Sequence, residues 1–123
     1  MYIFVYGTLK KRDPNHQLLN GSEYICTTRT IEKYTMLDLG LFPGVLKDEG
    51  SSQSPISFIH GEVYYITPQT LNVLDNYEGE WYFREEVELE AGTTAMMYFL
   101  RKIPPIDYEI IPEGNWENKA MLL

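Results

Sequence analysis

The chain has 123 residues, 44% of them hydrophobic and 14% aromatic, enough for one domain whose core needs neither disulfides nor a metal. Eighteen acidic residues against ten Lys and Arg give a net charge of −8, which opposes a phosphate-rich partner such as nucleic acid. A single cysteine, Cys26, excludes an internal disulfide and a four-cysteine metal site, and no run of 18 apolar residues offers a membrane span.

These bounds predict a single domain over residues 1–123, cytoplasmic, with no nucleic-acid or membrane partner. In chain order, "YIFVY" predicts a strand over Tyr2–Tyr6 that breaks at Gly7. A short helical piece over His16–Asn20, closed by Gly21, comes next. Cys26 in "YICTTRT" has no histidine near it in sequence, so nothing local activates it as a nucleophile. A strand over Thr35–Leu39 runs into the Gly/Pro-rich "LGLFPGV" at 39–45. "KDEGSSQSP" at 47–55 has no periodicity and reads as the most mobile loop. "HGEVYYI" belongs to a strand over Phe58–Ile66, with His60 beside Gly61 read as a structural histidine.

The firmest helix is in "TPQTLNVLDNYEG". Thr67 caps it, and Pro68 takes the first helical position, where a missing N–H costs nothing. Leu71, Leu74 and Glu78 follow at spacings of three and four, with Val73 and Tyr77 flanking, and Gly79 supplies the stop. Strands over Arg84–Glu90 and Thr94–Leu100 then form a hairpin around Ala91-Gly92, and a last short strand is placed over Asp107–Ile111. Strands outnumber helices and come in runs, so the expected fold is α+β, a small closed or nearly closed mixed sheet with short helices. A doubly wound sheet would need more and longer helices.

Three places could carry chemistry. Glu78 sits where the helix carbonyls point, near Asp75 and Glu80, and each of these raises a carboxyl pKa towards the range of a base working near neutrality. The alternative is a surface residue before a helix cap. Val87 and Leu89 share one strand face, so Tyr82 and Arg84 share the other and could meet Glu78 in one cavity. Arg84 could equally pair with an acid such as Glu86. The N–H groups of Gly7, Thr8 and Leu9, presented after Tyr6, could form an anion-binding nest, or only a turn after the first strand. "LGLFPGV" could be a further wall of that pocket or a structural turn. With two histidines, His16 and His60, and one cysteine, no metal site is expected.

The motifs taken together resemble the gamma-glutamylcyclotransferase-like (AIG2-like) family, its gamma-glutamylamine cyclotransferase branch in particular. The resemblance runs through "VYGTLK" at 5–10, Asn15-His16, Leu18-Leu19, "LDLGLFPGV" at 37–45, "HGEVY" at 60–64, "LDNYEGEWYFR" at 74–84, Tyr98 and "IPEGNW" at 111–116. It implies a small mixed β-barrel with short flanking helices. It also implies a cofactor-independent reaction in which the α-amino group of a γ-glutamyl compound attacks its own γ-amide carbonyl, releasing 5-oxoproline and the free amine or amino acid. Glu78 would be the catalytic base. The backbone at Tyr6, Gly7, Thr8 and Leu9 would hold the α-carboxylate, and Tyr82 and Tyr98 would line the pocket. The expected partner is a small molecule bearing a γ-glutamyl group, and the expected state is a monomer or weak homodimer.

Two other readings stand beside this one. A non-catalytic or regulatory domain could keep the barrel and bind a small carboxylate. A protein-interaction module could instead use the surface aromatics, since ten tyrosines are many for this length.

Overall fold

Seven strands and one α-helix account for most of the computed structural model, which describes residues 1–10, 15–47 and 56–116. Lys47 excepted, the polar loop at 47–55 therefore lies outside the described residues. In chain order the elements are β1 (Tyr2–Val5), a 3-10 turn (His16–Leu19), β2 (Glu23–Asp38), β3 (Pro43–Leu46), β4 (Ser57–Tyr65), α1 (Pro68–Glu78), a second 3-10 turn (Gly79–Trp81), β5 (Tyr82–Glu88), β6 (Thr94–Leu100) and β7 (Glu109–Ile111).

The strands pair in the order β1-β4-β2-β3-β6, and β6 returns to β1. Both closing contacts are parallel, Leu46 with Leu100 between β3 and β6, and Ile3 with Met96 between β1 and β6. The result is a small mixed β-barrel of five strands. β5 extends β6 as an antiparallel hairpin, and β7 adds to β2 beside Met36–Asp38.

Period-two alternation sorts the side chains into two cores. Phe4, Met36, Val63, Met97 and Phe99 fill one, with Trp116 packed among them. Ile3, Val5, Leu37, Tyr98 and Leu100 point the other way, towards Leu74 of α1 and Leu19 of the 3-10 turn. Strands buried on both faces read as unbroken apolar runs, which is why "YIFVY" shows no alternation.

Several strands differ from the sequence-based expectation. β2 begins at Glu23 rather than Thr35, because its first half is mixed polar and two register irregularities, at Tyr24/Cys26 and Arg29/Lys33, break the alternation. β3 falls inside the segment read as a Gly/Pro turn. Only residues 39–42 turn, with the Gly40 N–H donating to Asp38 Oδ1 at 2.8 Å, and Pro43 opens the strand. β5 likewise starts two residues early, at Tyr82. No helix of the described residues is long and apolar enough to cross a membrane.

Candidate active site

The last turn of α1 and the segment after β1 meet across a cavity of about 420 Å³. Local chemistry sets the helix in place. The Thr67 side chain accepts a hydrogen bond from the Thr70 N–H, and Pro68 follows it. At the far end Gly79 adopts φ 74°, a left-handed conformation that other residues resist, and its N–H donates to the Asp75 carbonyl. The helix thus stops at Glu78, whose side chain lines the cavity.

Burial is the main force on Glu78, and the nearby charge of Asp75 adds to it. Together they push its carboxyl up to about 7. Among the described residues no hydrogen-bond donor or cation pairs with it. Such a carboxyl is divided between acid and base at neutral pH, the condition under which it can both take and return a proton.

Opposite it, the segment Tyr6–Leu9 turns tightly. The Gly7 carbonyl accepts from the Lys10 N–H at 3.1 Å and the Thr8 carbonyl from the Asn15 N–H at 3.1 Å. The Leu9 carbonyl accepts from Nδ1–H of His16 at 2.9 Å. All three carbonyls are therefore taken by the chain. The N–H groups of Gly7, Thr8 and Leu9 have no carbonyl partner among the described residues, and all three residues line the cavity. Gly7 also lies so close to β3 that a Cβ there would sit 2.8 Å from Pro43 Cγ.

All seven residues picked out from sequence, Glu78, Tyr6, Gly7, Thr8, Leu9, Tyr82 and Tyr98, line this one cavity. The tyrosine hydroxyls are committed elsewhere. Tyr6 donates to the Tyr98 carbonyl at 2.9 Å, Tyr82 to the Pro43 carbonyl at 3.0 Å, and Tyr98 to Asp75 Oδ1 at 2.6 Å. Burial first raises all three phenols, and after it Tyr82 and Glu78 act on Tyr6, Glu78 on Tyr82 and Asp75 on Tyr98, so they stay neutral. Their rings shape the pocket, while their polar ends hold its walls together.

Arg84 does not reach the cavity. It shares a strand face with Tyr82, as period two requires, but its guanidinium pairs with Asp75, not with Glu86. Sequence reasoning left two contributors unassigned, Tyr77 and Trp81. Tyr77 binds the loop through Thr8 and Asn15, and Trp81, its ring 6.3 Å from that of Phe42, lines the cavity. For Tyr77 the available signal was its position next to Glu78, before a glycine stop. The "LGLFPGV" segment does form a wall, through Phe42 and Pro43. Of the ten tyrosines, four line the cavity, Tyr34 and Tyr64 are buried in the core, and Tyr2, Tyr24, Tyr65 and Tyr108 are exposed.

Residues 3–118 match the family described as gamma-glutamyl cyclotransferase, AIG2-like. The Escherichia coli family protein YtfP is 30% identical over 119 residues, 94% of this chain and 96% of that one. Its solution structure superposes with a TM-score of 0.68, covering 98% of this chain and 99% of that one at 29% identity. Gamma-glutamylaminecyclotransferase B of Danio rerio is 37% identical over 97 residues, which span 72% of this chain but 49% of that protein. The mouse AIG2-like protein, 24% identical, shares the fold with a TM-score of 0.73 over 94% of this chain and 87% of its own.

Proposed function

The chain belongs to the gamma-glutamyl cyclotransferase, AIG2-like family, and from that premise we propose that it converts a γ-glutamyl amine or γ-glutamyl amino acid to 5-oxoproline and the free amine. The observation that carries the proposal is Glu78, held at a pKa of about 7 in a cavity also lined by Gly7, Thr8 and Leu9, whose N–H groups have no carbonyl partner among the described residues.

The substrate α-carboxylate would accept from the N–H groups of Gly7, Thr8 and Leu9, which need no cationic side chain to bind an anion. The α-ammonium group must then lose a proton before it can attack, and Glu78 would take it. The nitrogen bonds to the γ-amide carbonyl carbon, closing a five-membered ring, and the bond to the leaving nitrogen breaks. Over the whole reaction two protons leave the α-nitrogen and two reach the departing amine. One carboxylate that takes and returns each in turn is sufficient.

Ring closure is unimolecular, so a pocket that folds the glutamyl chain upon itself supplies much of the rate by orientation. An amine rather than an amino acid as leaving group fits the relative named for that activity and the acidic Glu80 beside Trp81 in the lining. The test is to incubate the protein with γ-glutamyl-ε-lysine and a set of γ-glutamyl dipeptides and measure 5-oxoproline. Release that survives Glu78→Gln would defeat this mechanism. Saturable binding with no turnover of any substrate would favour a carboxylate-binding domain instead.

A further inference from the structure

Asp75 stands three residues before Glu78 on α1, one helical turn away and on the same side. Two side chains hold it from the sheet. Arg84 on β5 donates twice, Nε to Oδ1 at 2.7 Å and Nη2 to Oδ2 at 3.1 Å. Tyr98 on β6 donates its hydroxyl to Oδ1 at 2.6 Å. Arg84 and Tyr98 are direct cross-strand partners, so both donors rise from adjacent positions of one hairpin. The Tyr98 carbonyl in turn accepts the Tyr6 hydroxyl, which joins the same residue to the segment after β1.

We propose that Asp75, clamped by Arg84 and Tyr98, is a positioning residue that fixes the last turn of α1 against the sheet and through its charge governs when Glu78 ionises. The inference rests on reading Glu78 as the base. The titratable groups around Glu78 are Asp75 and Tyr77 on its own helix, Glu80 after it, Tyr82 and Arg84 from β5, Tyr98 from β6, and Tyr6 after β1. The phenols are neutral in the range where Glu78 titrates, and Glu80 is exposed to solvent. That leaves Asp75 as the charge acting on Glu78, and the Arg84 cation is paired to Asp75 itself.

Burial by itself would lift the Asp75 carboxyl. Hydrogen bonds from Arg84 and Tyr98, and the charge of Arg84, outweigh it and hold Asp75 below the usual carboxylate range. Asp75 is therefore ionised wherever Glu78 changes state. Removing its charge must ease ionisation of Glu78, and removing Arg84 must hinder it. A purely mechanical clamp would make the two variants alike; charge coupling makes them diverge.

The experiment is a carbon-13 titration of the substrate-free protein labelled in glutamate, with the Glu78 resonance assigned by its loss in E78Q. Asp75→Asn is expected to move the Glu78 midpoint down by about half a pH unit or more, and Arg84→Gln to move it up. Unchanged midpoints, or shifts in the same direction, would overturn the inference. Should Asp75→Asn fail to fold, the direction of the Arg84→Gln shift decides alone. The titration needs no turnover, so an inactive protein would defeat the cyclotransferase reading and still leave Asp75 to be judged. In an active protein the acid limb of kcat/KM must move with the midpoint.

Discussion

The hydroxyl of Tyr77 lies 2.7 Å from Thr8 Oγ1, and this bond joins the helix turn carrying Glu78 to the segment proposed to hold substrate. Asn15 Nδ2 donates to the same hydroxyl at 2.7 Å, so one phenol ties the helix turn to two points of that segment. Tyr77→Phe removes both bonds but keeps the ring. A net loss of about 1 kcal/mol for each of the two hydrogen bonds would appear as a rise in KM of about thirtyfold, with kcat changed less. Steady-state kinetics on the best substrate checks it, and an unchanged KM would show that the tie does not hold the loop.

The rate should rise with pH through about 7 and then level off, because only ionised Glu78 can take a proton. Glu78→Gln should lower kcat by ~10²–10⁴-fold, the range of general acid–base catalysis. A pH–rate profile of 5-oxoproline release measures both. A profile flat from pH 5 to 8 would be inconsistent with this base.

The same residue costs the fold stability. Its carboxyl is raised in the folded chain from 4.5 to about 7, so the folded state holds the proton more tightly than the unfolded state does. Stability is then greatest below the unfolded value and falls as pH rises from about 4.5 to about 7, by roughly 1–3 kcal/mol for a partly exposed group. Glu78→Gln should therefore be more stable than the parent protein at pH 8 and about equal to it at pH 4. Urea denaturation at the two pH values tests the difference.

Gly7→Ala should injure binding more than folding. The added Cβ would sit 2.8 Å from Pro43 Cγ and 2.9 Å from Pro43 Cδ, so the loop or the start of β3 must shift. Overpacking of this kind costs about 1–3 kcal/mol. KM should rise at least tenfold, while the protein stays folded by circular dichroism.

Thr67→Ala serves as a contrast. It removes the cap on the Thr70 N–H at the end of α1 remote from Glu78. Stability should fall by about 1 kcal/mol with the pH profile unmoved. A displaced profile would mean that the whole helix, and not its last turn, sets the site.

Much of the site was legible because its signals are local. Pro68 after Thr67 starts a helix, Gly79 ends one, and Gly7 breaks a strand, whatever lies elsewhere in the chain. Alternation likewise placed Tyr82 with Arg84. The bulged first half of β2 was not legible, since its irregularities remove the very periodicity that marks a strand. β3 was hidden behind Pro43 and Gly44, residues that mark turns in sequence but here open a strand.

Sequence by itself determined where the chain turns and stops, and which carboxyl ends the helix, because backbone preference acts over a few residues. Only the tertiary structure decided what each polar group meets. Arg84 could pair with Glu86 two residues away, yet it takes Asp75 because the β5–β6 hairpin packs under α1 and brings Tyr98 to the same oxygen. Barrel closure has the same character: it depends on the contact of Ile3 with Met96, residues far apart in the chain. Such pairings depend on which groups packing brings together, and no local pattern encodes that.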